Sequence, residues 1–448
     1  MKSIVTLLLL FLLPWMAVAQ LQRVTGTVSD ENGEPLIGVN VLVEGTSQGT
    51  ITDMDGKFVL EVSPGDKLRI SFIGYQPQLV DVGSNTTFNI SMEPDVLSLN
   101  EVVVVGYGTS TKKELTGALS TVDGDKVERQ NLPRLDEALQ GQIAGVNVTT
   151  NSGAPGASAN IRIRGLSTNG DNDPLILVDG VIYNSDGLNA LNPSDIESVT
   201  VLKDGMAGIY GVRAANGVVL IETKKGKRNS APSFSFSGYY GVQEAARTLD
   251  LLNAREYAIL KNEAFAAGGQ APPFNNVELG EGTDWQDEVF ETAPVQNYNL
   301  TVNGGSENTT YSIGGSYFSQ NGIVGGDKAT FDRYNARVNF TTDLAKKVNL
   351  THVMLYTHEE SSGIAQGGIG AVLYNSVNAY PTEPVRVGDR FSYLDNVADI
   401  INPVAQIQNT FNDTRVNKLV GKEEIRYDIN DNFQLTGRAG YNFALVDG

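Results

Sequence analysis

The 448 residues include no cysteine, only two histidines and two tryptophans, and 33 basic against 52 acidic side chains, for a formal net charge of −19. Without cysteine there is neither a disulfide nor a thiolate metal site. His352 and His358 stand close together near one stretch, so a histidine-based triad or metal centre has no material to draw on. An acidic surface repels polyphosphates, which excludes general nucleic-acid binding. The phosphate-loop and nucleophile-elbow signatures are missing. Gly106-Tyr-Gly108 starts a dinucleotide-like fingerprint, but Thr111 occupies the place of its last glycine. Glu423 and Glu424 are adjacent and point to opposite faces of a strand, so they are not an acid and a base across one substrate. Neither catalysis nor a cofactor is expected. Long apolar runs are missing beyond the leader, so any membrane crossing must be made by strands.

Residues 1–19 have the layout of a secretory signal: Lys2, an apolar run from Ile4 to Leu13, and Ala17-Val-Ala19 before Gln20. Residues 20–97 then alternate with period two through Val24 and Val28; Val39, Val41 and Val43; Phe58, Leu60 and Val62; Leu68, Ile70 and Phe72; Phe88, Ile90 and Met92. Turn chemistry at Asn32-Gly33, Asp55-Gly56 and Pro64-Gly65 separates these runs, which predicts a small antiparallel β-sandwich. Asp53 and Asp55 lack a Glu closing a twelve-residue calcium loop, and a hairpin turn is the better reading.

A linker over 98–110 contains Glu101, Val102, Val103, Val104, Val105, Gly106, Tyr107, Gly108 and Thr109. Four valines in a row are strand-prone. The run is either a buried strand of the following domain or a strand that completes the sheet of a partner, where main-chain hydrogen bonds supply the affinity. Residues 111–228 turn to mixed α/β character: a short helix at Leu135, Ala138 and Leu139 after Pro133, then strand-like pieces at 146–148, 161–164, 175–178, 199–202 and 218–221. Arg162 and Arg164 share a strand face by period two and call for carboxylate partners, unless that face is solvated.

From 229 to 448 the strands are long, and each carries one apolar, aromatic face opposite a polar one. Tyr334, Ala336, Val338 and Phe340 alternate with Arg333, Asn335, Arg337 and Asn339; Phe433, Leu435, Ala439, Tyr441 and Phe443 alternate with Gln434, Thr436, Arg438 and Asn442. Further strands are expected at about 234–241, 296–303, 309–318, 348–357 and 418–429. The connections 242–295, 304–308, 319–332, 342–347, 358–417 and 430–432 alternate long and short, as in a bilayer barrel with long outer loops and short inner turns. Seven strands leave open edges, which lipid does not tolerate, so this stretch is expected to be the first part of a larger barrel. The long loops hold Tyr257, Phe274, Trp285, Tyr374, Tyr380 and Tyr393, which suit either sugar stacking or loop anchoring.

The fold class is therefore mainly β: a small sandwich, an α/β segment and the first strands of a transmembrane antiparallel β-barrel. Val24-Thr-Gly-Thr-Val-Ser-Asp30, Gly49-Thr-Ile-Thr-Asp53 and Asp55-Gly-Lys-Phe58 resemble a carboxypeptidase-regulatory-like domain. Leu139-Gln-Gly-Gln-Ile-Ala-Gly-Val146, Ile161-Arg-Ile-Arg-Gly165, Pro174-Leu-Ile-Leu-Val-Asp-Gly180, Asn192-Pro-Ser-Asp-Ile-Glu-Ser-Val199 and Val201-Leu-Lys-Asp-Gly-Met-Ala-Gly-Ile-Tyr-Gly211 resemble the plug of the SusC/RagA family of TonB-linked outer-membrane proteins. That resemblance implies a bacterial outer-membrane nutrient importer whose N-terminal domains face the periplasm and the barrel lumen, with a complete barrel of about 22 strands. It also implies that residues 101–109 are the TonB box, energised through inner-membrane ExbB and ExbD, and that Arg162 and Arg164 latch the plug to carboxylates on the barrel wall. A SusD-like surface lipoprotein, outer-membrane lipid and an oligosaccharide or peptide ligand complete the implied partners. An outer-membrane adhesin that binds through its sandwich is the competing reading.

Overall fold

A computed structural model describes residues 22–448 apart from 94–101, 106–107, 112–118, 395–399 and positions 32, 47, 64, 73, 74, 84, 131, 133, 151, 184, 366 and 431. The signal sequence, and Glu101, Gly106 and Tyr107 of the valine linker, therefore lie outside the described residues. The chain divides into two compact units, Met1–Thr116 and Gly117–Gly448.

The first unit is the expected sandwich. Its strands are β1 (Gln22–Ser29), β2 (Asn40–Val43), β3 (Gly49–Ile51), β4 (Lys57–Val62), β5 (Lys67–Ser71), β6 (Gln78–Asp81) and β7 (Thr87–Ser91), arranged as sheets β4-β1-β7 and β3-β2-β5-β6. Every second side chain of the alternating runs is buried except Phe72, which is partly buried against the same core, and Val24, Val41, Phe58, Ile70 and Ile90 share that core. One pairing departs from the antiparallel expectation: β1 and β7 run parallel. Five intervening strands supply the long crossover that a parallel pair requires. Asp53 spends its carboxylate on the amides of Asp55 and Lys57, at 3.0 and 2.8 Å, which makes the hairpin and leaves no calcium loop there. Gly56 holds φ +71°, and a Cβ there would overlap the Val28 carbonyl. Gly56→Ala is expected to destabilise the sandwich by about 1–3 kcal/mol, read as faster proteolysis within 22–93. After the sandwich, β8 (Val102–Val105) pairs antiparallel with β9 (Gly108–Thr111) in a separate two-stranded ribbon.

The second unit begins with β10 (Leu119–Asp123), the helices α1 (Gly124–Glu128) and α2 (Leu135–Ala138), and β11 (Val146–Thr150), β12 (Ala159–Ile163), β13 (Leu175–Val178), β14 (Val181–Tyr183), β15 (Ile196–Leu202) and β16 (Val218–Thr223). Five of these strands form the mixed sheet β10-β15-β16-β13-β14, and β11-β12 is a separate hairpin. The continuous apolar run Leu175-Ile-Leu-Val178 is buried on both faces at the sheet's interior. Seven long strands follow: β17 (Ser230–Gln243), β18 (Ala293–Gly305), β19 (Thr309–Gly322), β20 (Gly326–Ala345), β21 (Val348–Ser362) and, beyond the short ribbon of β22 (Arg386–Val387) and β23 (Arg390–Phe391), β24 (Asp413–Asn430) and β25 (Phe433–Asp447). They pair in the order β17-β18-β19-β20-β21-β24-β25, each antiparallel to its neighbour. All seven expected strands are present; β17, β18, β20 and β24 run longer at both ends, and β19, β21 and β25 only at their C-terminal ends.

One connection differs from expectation. Residues 319–332 are not a long loop, because β19 and β20 continue through them to a tight turn at 323–325, with Gly325 at φ +81°. Ala329 and Phe331 are buried and Lys328 and Thr330 are not, a strand alternation that the surrounding glycines and charges disguise. The genuinely long connections are 244–292, which carries α3 (Ala254–Ala267), and 363–412, which carries α4 (Val372–Asn378) and α5 (Pro403–Gln408). Among the described residues no helix is long and apolar enough to cross a membrane, which says nothing about strands.

Candidate functional site

The inner face of the seven-stranded sheet grips the plug through polar side chains that alternation places there. Arg337 is 1% exposed; its Nε donates to Asp195 Oδ1 at 2.8 Å, and its Nη1 donates to the Lys224 carbonyl at 2.6 Å and to Ser312 Oγ at 2.9 Å. One turn outward, Arg333 donates to the Asn189 carbonyl, and Asn335 Nδ2 donates to the Ala190 carbonyl at 2.8 Å. Thr357 joins the same carbonyl at 3.2 Å, and Asn192 Nδ2 reaches Asn299 Oδ1 at 2.8 Å. Apart from the Lys224 carbonyl, the plug side of this seat is a short stretch, 189–195, ordered by Asn192, whose side chain caps the turn at Pro193–Asp195. Strand donors thus meet plug carbonyls that would otherwise be buried without partners.

Apolar contacts continue the seat. Val353, Leu355 and Val420 of the barrel wall share one core with Val181, Tyr183 and Leu188 of the plug. Lys418 Nζ lies 3.5 Å from the centre of the Tyr183 ring. Burial, reinforced by the Glu359 carboxylate, pushes the Tyr183 phenol well above its ordinary range, so it stays protonated. Gly156, at the tip of the β11-β12 hairpin, lies against Phe331 so closely that a Cβ there would overlap the ring. Gly156→Val is expected to displace the hairpin tip, measured as increased hydrogen exchange over 146–163.

Arg162 and Arg164 sit elsewhere than expected. Arg162 pairs with Asp173 and Arg164 with Asp204, at 2.9 Å for the second pair, and both carboxylates belong to the plug rather than to the barrel wall. Arg164 lies beyond the end of β12 with φ +61°, so the period-two argument that put it on one face with Arg162 stops short of it. The plug-to-wall ion pair described here runs the other way, from a barrel arginine to a plug aspartate. Arg333 and Arg337 stood out in the sequence only as polar alternates; Asp195 is 142 residues from Arg337, and no local pattern links them.

The described part of the valine linker is the β8-β9 ribbon, paired from Val102↔Thr111 to Val105↔Gly108. Among the described residues it pairs with none of the larger sheets. The loop aromatics, by contrast, are anchors. Trp285 is 2% exposed, packs with Ala379, Leu394 and Ile400, and donates from Nε1 to the Tyr380 carbonyl at 2.8 Å. Tyr257 contacts Phe274 and Tyr380, and Tyr374 packs onto the Trp285 cluster. Thr283 ties the two long loops together, with its amide on the Pro381 carbonyl at 2.9 Å and its hydroxyl on the Glu383 carbonyl at 2.7 Å. Beside Tyr257 and Tyr380 opens a cavity of about 810 Å³. Tyr257 and Tyr380 line that cavity, and Tyr393 is 82% exposed. Trp285→Ala is expected to cost about 3–5 kcal/mol of loop packing, measured as proteolytic nicking within 244–292 and 363–412 while the barrel stays intact.

A mixed-sheet plug seated against the polar inner face of a meander of long strands defines a TonB-dependent receptor. Matches to known proteins agree: the TonB-dependent Receptor Plug Domain family covers residues 111–218 and the CarboxypepD_reg-like domain family residues 24–104. Within that class the chain belongs to the SusC/RagA family. It is 37% identical to the TonB-dependent receptor SusC of Bacteroides thetaiotaomicron over 92% of this chain and 43% of that one, and 36% identical to a TonB-dependent receptor of Formosa agariphila over 91% and 41%. In fold it matches the RagAB peptide importer in its open-open state, with TM-score 0.67 and 24% identity over 77% of this chain and 42% of that one. The chain thus spans less than half the length of these relatives.

Proposed function

We propose that this chain is the N-terminal portion of an outer-membrane importer that draws an oligosaccharide or peptide nutrient inward when TonB pulls on residues 101–109. The observation that carries the reading is the β8-β9 ribbon: valine-rich backbone, separate from every larger sheet, with edges able to accept a further strand. Periplasmic TonB, energised by ExbB and ExbD, adds to that edge and applies force; the plug, held by the Arg337–Asp195 seat, yields and opens the lumen. A SusD-like surface lipoprotein closes over the two long loops and delivers the ligand. The outward face of the barrel strands, with Phe234, Phe236, Leu300, Ile313 and Phe443 exposed, is suited to outer-membrane lipid.

Substrate class stays at oligosaccharide or peptide. The stacking argument for sugars loses Trp285, which is buried as a loop anchor, and RagAB is a peptide importer. The adhesin alternative needs the valine run inside a core, and the separate ribbon weighs against it. Uptake of labelled oligosaccharides and peptides by cells carrying the full-length protein, with and without residues 101–109, tests the proposal. Substrate that accumulates equally in both strains would overturn it.

A further inference from the structure

A cavity of about 140 Å³ opens between the tip of the plug hairpin β11-β12 and the barrel wall, at the strand ends from which the long loops leave. Its plug side is Ser152-Gly-Ala-Pro155. Its wall side comes from three places: Phe290 ahead of β18, Val324 in the β19-β20 turn, and Ile364, Val372 and Leu373 beyond β21. The space exists because small residues meet there. Gly153, Ala154, Ala329 and Ala365 carry no side chain long enough to fill it, and a Cβ built on Gly153 meets nothing within 4 Å. Gly153 and Ala365 are exposed and Leu373 is 40% exposed, which marks the mouth; Ala329 and Val372, at 2% and 1%, mark the floor.

The occupant follows from what the walls lack. No charged side chain is among the lining residues, and Ser152, their one hydroxyl, accepts from the Ala154 amide at 3.1 Å. Main-chain groups of the lining are engaged with one another or with their neighbours. The Ile323 carbonyl accepts from the Glu291 amide at 3.0 Å, the Ala365 carbonyl accepts from the Val372 amide at 3.2 Å, and the Phe290 amide donates to the Gln286 carbonyl at 2.9 Å. Pro155 has no amide proton at all. A sugar ring pushed into this space would strip water from several hydroxyls and leave most of them without a partner. The methyl of a deoxy or N-acetyl sugar would leave most of the volume empty, with its contacts forfeited. A dry apolar cavity of roughly 150 Å³ accepts a benzene ring, so the fit here is to one branched aliphatic or aromatic side chain.

Resting on the importer reading, we propose that this cavity seats one leucine-, isoleucine- or phenylalanine-sized side chain of a peptide ligand, which resolves the substrate class toward peptide. Such a side chain touches the plug and the wall together. Gly156, next along the hairpin tip, already lies against Phe331, and an occupant beside it ties the hairpin to the loop cluster of Val289, Ile364 and Val372. Ligand captured at the loops is thereby felt by the plug.

The probes are pentaalanine, the same pentapeptide with leucine or phenylalanine at its centre, and an unsubstituted glucose pentasaccharide. Binding to the purified full-length protein in detergent is measured alongside hydrogen exchange over 146–163. The leucine and phenylalanine peptides are expected to bind roughly 10- to 100-fold more tightly than pentaalanine and to slow exchange in the hairpin, while the pentasaccharide binds no better than pentaalanine. Ala365→Phe fills the cavity from the wall side and Gly153→Leu from the plug side; both positions are exposed, and each change is expected to erase the difference between the peptides. Equal affinity for the three peptides, a preference that survives both fillings, or a pentasaccharide that outbinds the leucine peptide would each overturn the proposal. None of these readouts involves TonB. Uptake that does not depend on residues 101–109 would sink the importer reading and leave the side-chain preference standing, so the two failures are told apart.

Discussion

Removing residues 101–109 abolishes uptake while the protein still inserts, folds and seats its plug. This is the expected result because, among the described residues, β8 and β9 pair with each other alone and with none of the larger sheets. Docking by strand addition draws on main-chain hydrogen bonds, each worth about 0.5–1.5 kcal/mol net, so four or five of them set a scale of roughly 10³ in affinity. Side-chain changes should therefore be mild and backbone changes severe. Val103→Ala and Val104→Ala are expected to lower uptake by no more than about threefold. Val103→Pro and Val104→Pro remove amides that point to opposite edges of β8, so one of them loosens the β8-β9 ribbon and the other blocks docking. Uptake by whole cells, alongside binding of a purified periplasmic TonB domain, separates the two. Uptake that survives the deletion would mean the ribbon is not where force is applied.

Much of this was readable in the chain, for reasons that differ by region. Strand β20 alternates Arg333, Asn335, Arg337 and Asn339 with Tyr334, Ala336, Val338 and Phe340, and that period alone placed the polar set inward. The same rule missed the beginning of β20. There Gly325, Gly326 and Asp327 look like loop, and the inward positions are apolar because the plug tip at Gly156 leans on Phe331 while Ala329 packs with Val289, Ile364 and Val372. A strand whose inner face changes from polar to apolar halfway along reflects its neighbour, and the neighbour is far away in sequence. Arg162 and Arg164 illustrate the converse: spacing put them on one face, but a left-handed residue at Arg164 ends the strand one position early. The aromatic content of the long loops was legible, whereas its use was not, since burial of Trp285 depends on the meeting of two loops about a hundred residues apart.

Breaking the Arg337–Asp195 pair should loosen the plug more than any other single change at the seat. Both side chains are buried, at 1% and 8% exposure, and Arg337 also satisfies the Lys224 carbonyl and Ser312. Removing one partner of such a pair leaves the other charge buried without compensation, at a cost of about 3–5 kcal/mol. Arg337→Ala strands Asp195 and frees the Lys224 carbonyl; Asp195→Ala strands the guanidinium but leaves its two other bonds. The first is thus expected to be the more severe, raising the unseated population by roughly 10²- to 10³-fold. Arg337→Lys keeps the charge but cannot reach Asp195, Lys224 and Ser312 together, and should fall between them. Sensitivity of cells to a large antibiotic normally excluded by the outer membrane reports the leak, and hydrogen exchange over 185–224 reports the seat directly. The double change Arg337→Leu with Asp195→Leu carries no buried charge, so it should leak less than Arg337→Ala alone. If all four variants hold the plug as firmly as the parent, the seat lies elsewhere, in the apolar contacts of Val353, Leu355 and Val420 with the plug core.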